Sequence, residues 1–350
     1  MKTDFIAVSL LTFVGLSHAL NLGKLPHRRY HSTSRAAKLA ARDIDNAPVV
    51  NYTLQDWYTG DDFGNQWDFY NDSDPTNGYV NYLSKDDAES AGLFYVQDDG
   101  TTVLAVDDYT SLSGGEYRNS VRISSQKTYS SGLFIADIWA MPHGCSVWPA
   151  WWSVGPDWPD GGEIDVIEGV NLQTTNQFTL HTSSGCNSTS SSSDSSVEYL
   201  ADLSTTQCAY VDGDNSGCAF VDTDNRTYGH EFNMNAGGVY AHLWNAGGIS
   251  VWFFSRDDIP CDITNKSPQP STWGTPSAFW SSDDCSIADH FYDHSLTFDT
   301  TLWSCSGDWA GSAYSSSGCS GTCSEAVQDP ANYKYAKWEL NYVAVYQHYD

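Results

Sequence analysis

Gly161-Gly162-Glu163-Ile164-Asp165-Val166-Ile167-Glu168-Gly169-Val170-Asn171 sets three carboxylates among isoleucines and valines. Such β-branched residues favour a pleated strand. Side chains on a strand alternate between faces, so Glu163 and Asp165 share one face while Ile164 and Val166 share the other. Glu168, five residues after Glu163, falls on the Ile164 side. One extra residue near Val166-Ile167, a β-bulge, would return Glu168 to the face of the other acids. The same bulge turns both apolar residues inward, and bulges re-aim side chains in this way beside active sites.

Like charges a few ångströms apart cannot all ionise cheaply, so one carboxyl keeps its proton. A set with one acid and one base at working pH is what glycoside hydrolysis requires. The plain alternative is a solvated strand face. The setting argues against it: Trp148-Pro149-Ala150-Trp151-Trp152 and Trp158-Pro159 lie just upstream, among Gly155, Pro156 and Asp157. Aromatic residues in loops are costly to expose unless they meet a ligand, and flat indole faces suit the apolar faces of glucose rings. Trp148, Trp151 and Trp152 divide between core and cleft, and Trp158, beside a turn, is placed to stack on a sugar.

Around this stretch the chain reads as all-β. Residues 93–106 look like strand, turn, strand; 120–124 and 132–141 give two more strands. Residues 239–244 and 249–254 flank Asn245-Ala246-Gly247-Gly248 as a hairpin. Residues 337–347 alternate, with Trp338, Leu340 and Tyr342 on one side and Lys337, Glu339 and Asn341 on the other. Many short strands separated by turns predict a β-sandwich.

The N-terminus is read separately. Met1-Lys2, the apolar run 5–16 and Ser17-His18-Ala19 form a secretory signal over residues 1–19. Residues 20–43 carry six of the sixteen basic residues, including Arg28-Arg29, and read as a basic propeptide or an arm that stays attached. The C-terminal Tyr346-Gln347-His348-Tyr349-Asp350 is no hydrophobic tail, so neither a second span nor a glycolipid anchor is expected. Beyond residue 43, nine Lys and Arg face 42 Asp and Glu. That surface repels nucleic acid and anionic membranes, and a neutral polymer is the easier partner. A secreted, extracellular protein follows, and its nine cysteines suit an oxidising compartment, with at least one left unpaired. Asn51, Asn71, Asn187, Asn225 and Asn265 begin glycosylation sequons.

Other chemistries find no support. Asp212-Gly213-Asp214-Asn215-Ser216-Gly217 opens like a calcium loop, but Thr223 stands where a bidentate Glu is needed. Cys319 and Cys323 lack a second matching pair for zinc. His230-Glu231 has no second histidine four residues after the first, and no phosphate-binding Gly-rich loop occurs. No metal and no cofactor is expected.

The acid motif and its Trp-Pro prelude resemble glycoside hydrolase family 16, in particular the fungal endo-β-1,3(4)-glucanases, or laminarinases. Arg118-Asn119-Ser120-Val121-Arg122-Ile123, Thr179-Leu180-His181-Thr182, Trp273-Gly274-Thr275-Pro276 and Gly307-Asp308-Trp309-Ala310-Gly311 extend the likeness over roughly residues 48–350. The resemblance implies a concanavalin-like β-jelly-roll sandwich of two curved antiparallel sheets, as a single catalytic domain over 44–350. It implies Glu163 as nucleophile, Glu168 as general acid/base and Asp165 between them, tuning their protonation. It further implies Arg122, Trp151, Trp158, His181 and Trp309 as sugar contacts, and a monomer acting on β-glucan. The six-residue, bulged spacing belongs to the laminarinase-like members and favours β-1,3-glucan. A wall-remodelling transglycosylase and a non-catalytic glucan-binding protein are the competing readings; the second conflicts with the presence of all three acids.

Overall fold

Strands that alternate every second residue cannot bury an apolar face alone, and here they solve this by stacking. In the computed structural model two eight-stranded sheets form, and every pairing within them is antiparallel. The structure describes residues 50–188, 198–302 and 313–348. The expected signal and propeptide, residues 1–43, and the expected sugar contact Trp309 lie outside them.

The sheet that carries the acids runs, in spatial order, Asp202–Leu203, Cys218–Val221, Gln177–His181, Glu163–Glu168, Val147–Val154, His294–Leu302, Arg122–Tyr129 and Trp67–Phe69. The second runs Ala278–Ser281, Gly248–Ser255, Gly238–Asn245, Gly132–Ala140, Lys337–His348, Thr102–Ala105 and Phe94–Val96, with Tyr52–Tyr58 also paired to Lys337–His348. The hairpin and the strands expected at 93–106, 132–141 and 337–347 are all present. A short parallel pair, Val80–Tyr82 with Arg118–Ser120, stands apart.

Between the sheets lies a core with many aromatic rings. Ile164, Val166, Ile167, Trp151, Phe298 and Ile123 come from the acid sheet, and Phe134, Ile138, Tyr240, Trp338 and Val343 from the other. The Trp338 indole donates to the Asp299 carbonyl at 3.0 Å, which satisfies its one polar group inside the core. The Gly132–Ala140 strand is apolar on both faces: Phe134 and Ile138 face this core, while Leu133 and Ile135 join a second cluster with Ile263, Ala344 and Tyr346. Ile259 and Trp273 pack against that outer cluster.

The terminal strand departs from strict alternation. Its register shifts between Leu340 and Tyr342, so Trp338 and Leu340 stay in the main core while Tyr342 turns to the outer cluster and stacks on Trp57 at 4.2 Å. Disulfides join Cys145 to Cys319, Cys186 to Cys285 and Cys208 to Cys218, while Cys261 is free and exposed. Among the described residues no helix is long and apolar enough to cross a membrane.

Trp151 requires a correction. Expected at the sugar, it is 1% exposed and stacks on Phe298 at 4.1 Å. It pairs with Ile167, one of the residues the bulge turns inward, and so points into the core. Trp151→Ala should therefore cost about 3–5 kcal/mol of stability, the usual price of emptying a buried aromatic site. Denaturant unfolding together with oligosaccharide affinity checks this: a stable variant with weakened sugar binding would return Trp151 to the cleft.

Candidate active site

The acid strand starts from a turn that only glycine can make. Gly162 has φ +77°, and a Cβ there would meet the His290 carbonyl oxygen at 2.2 Å. Glu163 then pairs with His181 and Val154, and Asp165 with Thr179 and Trp152. Next comes the extra residue. The register shifts after Asp165, Val166 is left over, and Glu168 lands opposite Ala150 and Gln177. Val166 and Ile167 are both buried, so the bulge does what the spacing of the acids requires.

Asn176 holds the bulge in place. Its Nδ2 donates to the Val166 carbonyl at 2.8 Å and its Oδ1 accepts from the Glu168 N–H at 3.0 Å. One buried amide thus satisfies two backbone groups that the disrupted ladder leaves without strand partners.

The three acids have different surroundings. Asp165 is 3% exposed, whereas Glu163 and Glu168 remain partly open to the cleft. His181 Nε2 stands 3.4 Å from Asp165 Oδ2 and 3.8 Å from Glu163 Oε1. The Trp148 indole donates to Glu168 Oε1 at 3.1 Å, and the Trp158 indole favours the ionised form of Glu163. Burial pushes Glu163 up to about 8, with repulsion from Asp165 and Glu168 adding to it and His181 opposing it. Burial likewise raises Glu168, against the pull of His181 and Trp148, and lifts Asp165 well above the carboxylate range.

Asp165, the most enclosed, is the natural holder of the proton. Once it is neutral, its repulsion of Glu163 disappears and Glu163 ionises more readily, facing a hydrogen-bond donor in place of a charge. Glu163, Asp165 and His181 also place ligand-type atoms within 4.8 Å of one another. A cation in that position would have to displace the protons that burial retains.

Beyond the acids, Glu168, Ala150, Asp299 and Arg122 lie side by side on four adjacent strands. Arg122 sits 3.7 Å from Asp299, with its guanidinium 4.9 Å from the Tyr70 ring and 5.0 Å from the Trp152 ring. Burial raises Asp299 to about 7 despite the attraction of Arg122. Trp158 is 40% exposed, its ring 5.3 Å from that of Tyr210.

A family model described as the XgeA-like, catalytic GH16 domain matches residues 67–346. The chain belongs to glycoside hydrolase family 16. A probable glycosidase of Schizosaccharomyces pombe is 41% identical over 307 residues, covering 85% of this chain and 70% of the relative. The endo-1,3(4)-beta-glucanase xgeA of Emericella nidulans is 39% identical over 310 residues, but this chain spans 47% of its length. Among solved structures, laminarinase 16A from Phanerochaete chrysosporium, holding β-glucans in donor and acceptor sites, is 37% identical. It matches with a TM-score of 0.79 over 85% of this chain and 100% of that one. An elongating family 16 β-1,3-glucosyltransferase is 41% identical, with a TM-score of 0.78 and the same coverage.

In this GH16 chain the structure brings Glu163, Asp165, Glu168, His181 and Trp158 together, and puts Arg122 three strands away in the cross-strand row of Glu168. Sequence reasoning missed Asn176, Asp299 and the direct bond from Trp148 to Glu168. Trp152 takes the cleft position expected of Trp151.

Two outcomes follow from this geometry. Asn176→Ala should lower kcat by about 10²-fold, the order expected when a reacting group is misplaced by an ångström, with KM little changed; an unaltered kcat would show that the bulge holds itself. Because Glu163 binds its proton more tightly when folded, stability is fully present below its ordinary value of 4.5 and is lost as pH rises toward 8. Glu163→Gln should therefore raise Tm by ~2 °C or more at pH 8, and leave it nearly unchanged at pH 4. An equal or lower Tm at pH 8 would mean that burial does not load this carboxyl.

Proposed function

We propose that this chain hydrolyses internal β-1,3 linkages of β-glucan, and those of mixed β-1,3/1,4-glucan, with retention of configuration. The observation that carries this reading is the bulged strand, which aims Glu163 and Glu168 into one cleft with the enclosed Asp165 between them. Retention needs one carboxylate as nucleophile and one protonated carboxyl as acid. Glu168 gives its proton to the leaving glycosidic oxygen while Glu163 attacks the anomeric carbon, and the C–O bond breaks as the glycosyl ester forms. Protonated Asp165 donates toward Glu163 and steadies it as its charge changes.

The ionised Glu168 then takes a proton from water, whose oxygen attacks the anomeric carbon and displaces Glu163. Both groups end as they began. Trp158 and Trp152 supply flat faces to adjacent sugars, and Arg122 hydrogen-bonds hydroxyls. The relatives named for endo-1,3(4)-β-glucanase and laminarinase activity support this substrate class.

A second reading is transfer to a sugar acceptor in place of water. It is favoured by the 41% identity to an elongating β-1,3-glucosyltransferase over that chain's full length. Within the same proposal the protein is secreted and monomeric, with a signal over 1–19, a basic propeptide over 20–43 and one catalytic domain over 44–350.

The test is to incubate laminarin and barley mixed-linked glucan with wild type and with Glu163→Ser. Short oligosaccharides should appear, with the β-anomer first by proton NMR, and kcat should fall at least ~10³-fold in the variant. Products longer than the substrate would favour transfer. Binding with no new reducing ends would overturn catalysis altogether.

A further inference from the structure

The acid face does not end at His181. On its far side the chain folds back as residues 204–209, beside the Cys218–Val221 strand, and the Cys208–Cys218 disulfide closes the intervening loop. Thr205 Oγ1 donates to the Gly217 carbonyl at 2.8 Å and accepts from the Ala219 N–H at 3.0 Å, which ties the two segments together. Between them lies a groove of about 300 Å³, with Ser204, Thr205, Thr206 and Gln207 on one wall and Asp214 and Gly217 on the other.

Three observations connect this groove to the cleft. Gly217 is where it meets the active site: a Cβ there would lie 2.6 Å from Thr179 Cγ2 and 2.8 Å from His181 Cε1, and its φ is +62°. Thr179 and His181 are the residues paired with Asp165 and Glu163. At the loop's outer end, Tyr210 is 42% exposed and its ring lies 5.3 Å from that of Trp158, whose indole favours the ionised form of Glu163. Finally, Ser204, Thr206 and Gln207 are exposed along the groove, with side-chain polar groups free to meet a ligand in place of water.

The lining speaks for one class of ligand. It offers hydroxyls and an amide, which can both donate and accept, and a single carboxylate, already engaged by Ser216. That suits a neutral polyhydroxylated molecule; an anion would find no positive charge. Two strand spacings, about 10 Å, separate the acid strand from the Cys218–Val221 strand, so the groove lies beyond the sugar being cleaved. We propose that it is an outlying subsite that binds a glucosyl unit of the β-glucan remote from the scissile bond. Tyr210 forms its aromatic approach, and Thr206 and Gln207 supply its hydrogen bonds. The proposal rests on the glucanase reading and names where that substrate's distal end is held.

Its signature is length dependence. Calorimetric titration of the Glu163→Gln protein with linear laminari-oligosaccharides, from trimer to heptamer, and with 6-O-glucosyl-branched counterparts should show affinity rising with length. Gln207→Ala and Tyr210→Ala, each added to Glu163→Gln, should weaken the longest ligands by about 2- to 12-fold, the equivalent of one net hydrogen bond. The trimer should be unaffected. Loss confined to the branched ligands would place a branch sugar in the groove; loss confined to long linear ones would place the main chain there. Equal weakening at every length, or none, overturns the subsite and leaves the glucanase reading intact. If Glu163→Gln binds no β-glucan of any length, both fall together.

Discussion

The active face depends on one local defect. A regular strand from Glu163 to Glu168 would send the last acid into the space filled by Ile164 and Ile167. The extra residue at Val166 prevents this, and the Asn176 amide makes the defect affordable by bonding both Val166 and Glu168. Asn176 is itself fixed, because its N–H donates to Thr227 Oγ1 and its carbonyl accepts from the Asp222 N–H. The acid's direction is therefore set from a segment on the far side of the neighbouring strand. Rigid sheet and precise aim coincide because the bulge is pinned at both ends.

Around that defect the molecule concentrates charge where charge is least welcome. Glu163, Asp165, Glu168 and Asp299 share one face of a single sheet, and each is pushed upward by burial. Among the described residues His181 and Arg122 are the basic groups that answer them nearby. A surface with few cations cannot relieve this repulsion from afar, since exposed charges are screened within about 10 Å at ordinary ionic strength. The cost is met locally, by protons and indole donors. Tryptophan serves twice, as a wall for sugar and as a neutral donor that steadies a carboxylate without cancelling its charge.

The parts of this arrangement that were legible in the sequence are those written in adjacent residues. The offset between Glu163 and Glu168 demanded a bulge, and Pro and Gly around Trp158 marked an exposed turn. Trp151 and Trp152 were harder, since adjacent residues point to opposite faces and only the register against Ile167 decides which is which. Tyr342 was misplaced for a related reason: a shift after Leu340 carries no mark in composition. Asp299 reaches the site through strand pairing with Ala150 and Arg122, distant in sequence. Asn176 is only eight residues beyond Glu168, but an asparagine in a loop carries no mark of the backbone groups its amide will bond. His181 was read as a sugar contact, and the strand pairing that sets it against Glu163 and Asp165 carried no mark in the sequence.

The strand at Gly132–Ala140, apolar on both faces, also constrains how the protein is made. Once the two sheets have closed on each other, Leu133, Ile135, Val239 and Tyr346 still present a greasy outer surface. It is covered only when residues 259–273 lay Ile259, Ile263 and Trp273 across it. An intermediate with both sheets formed and that segment undocked exposes a sticky patch to its neighbours. Docking of this short segment thus removes an aggregation-prone patch that the two sheets leave open.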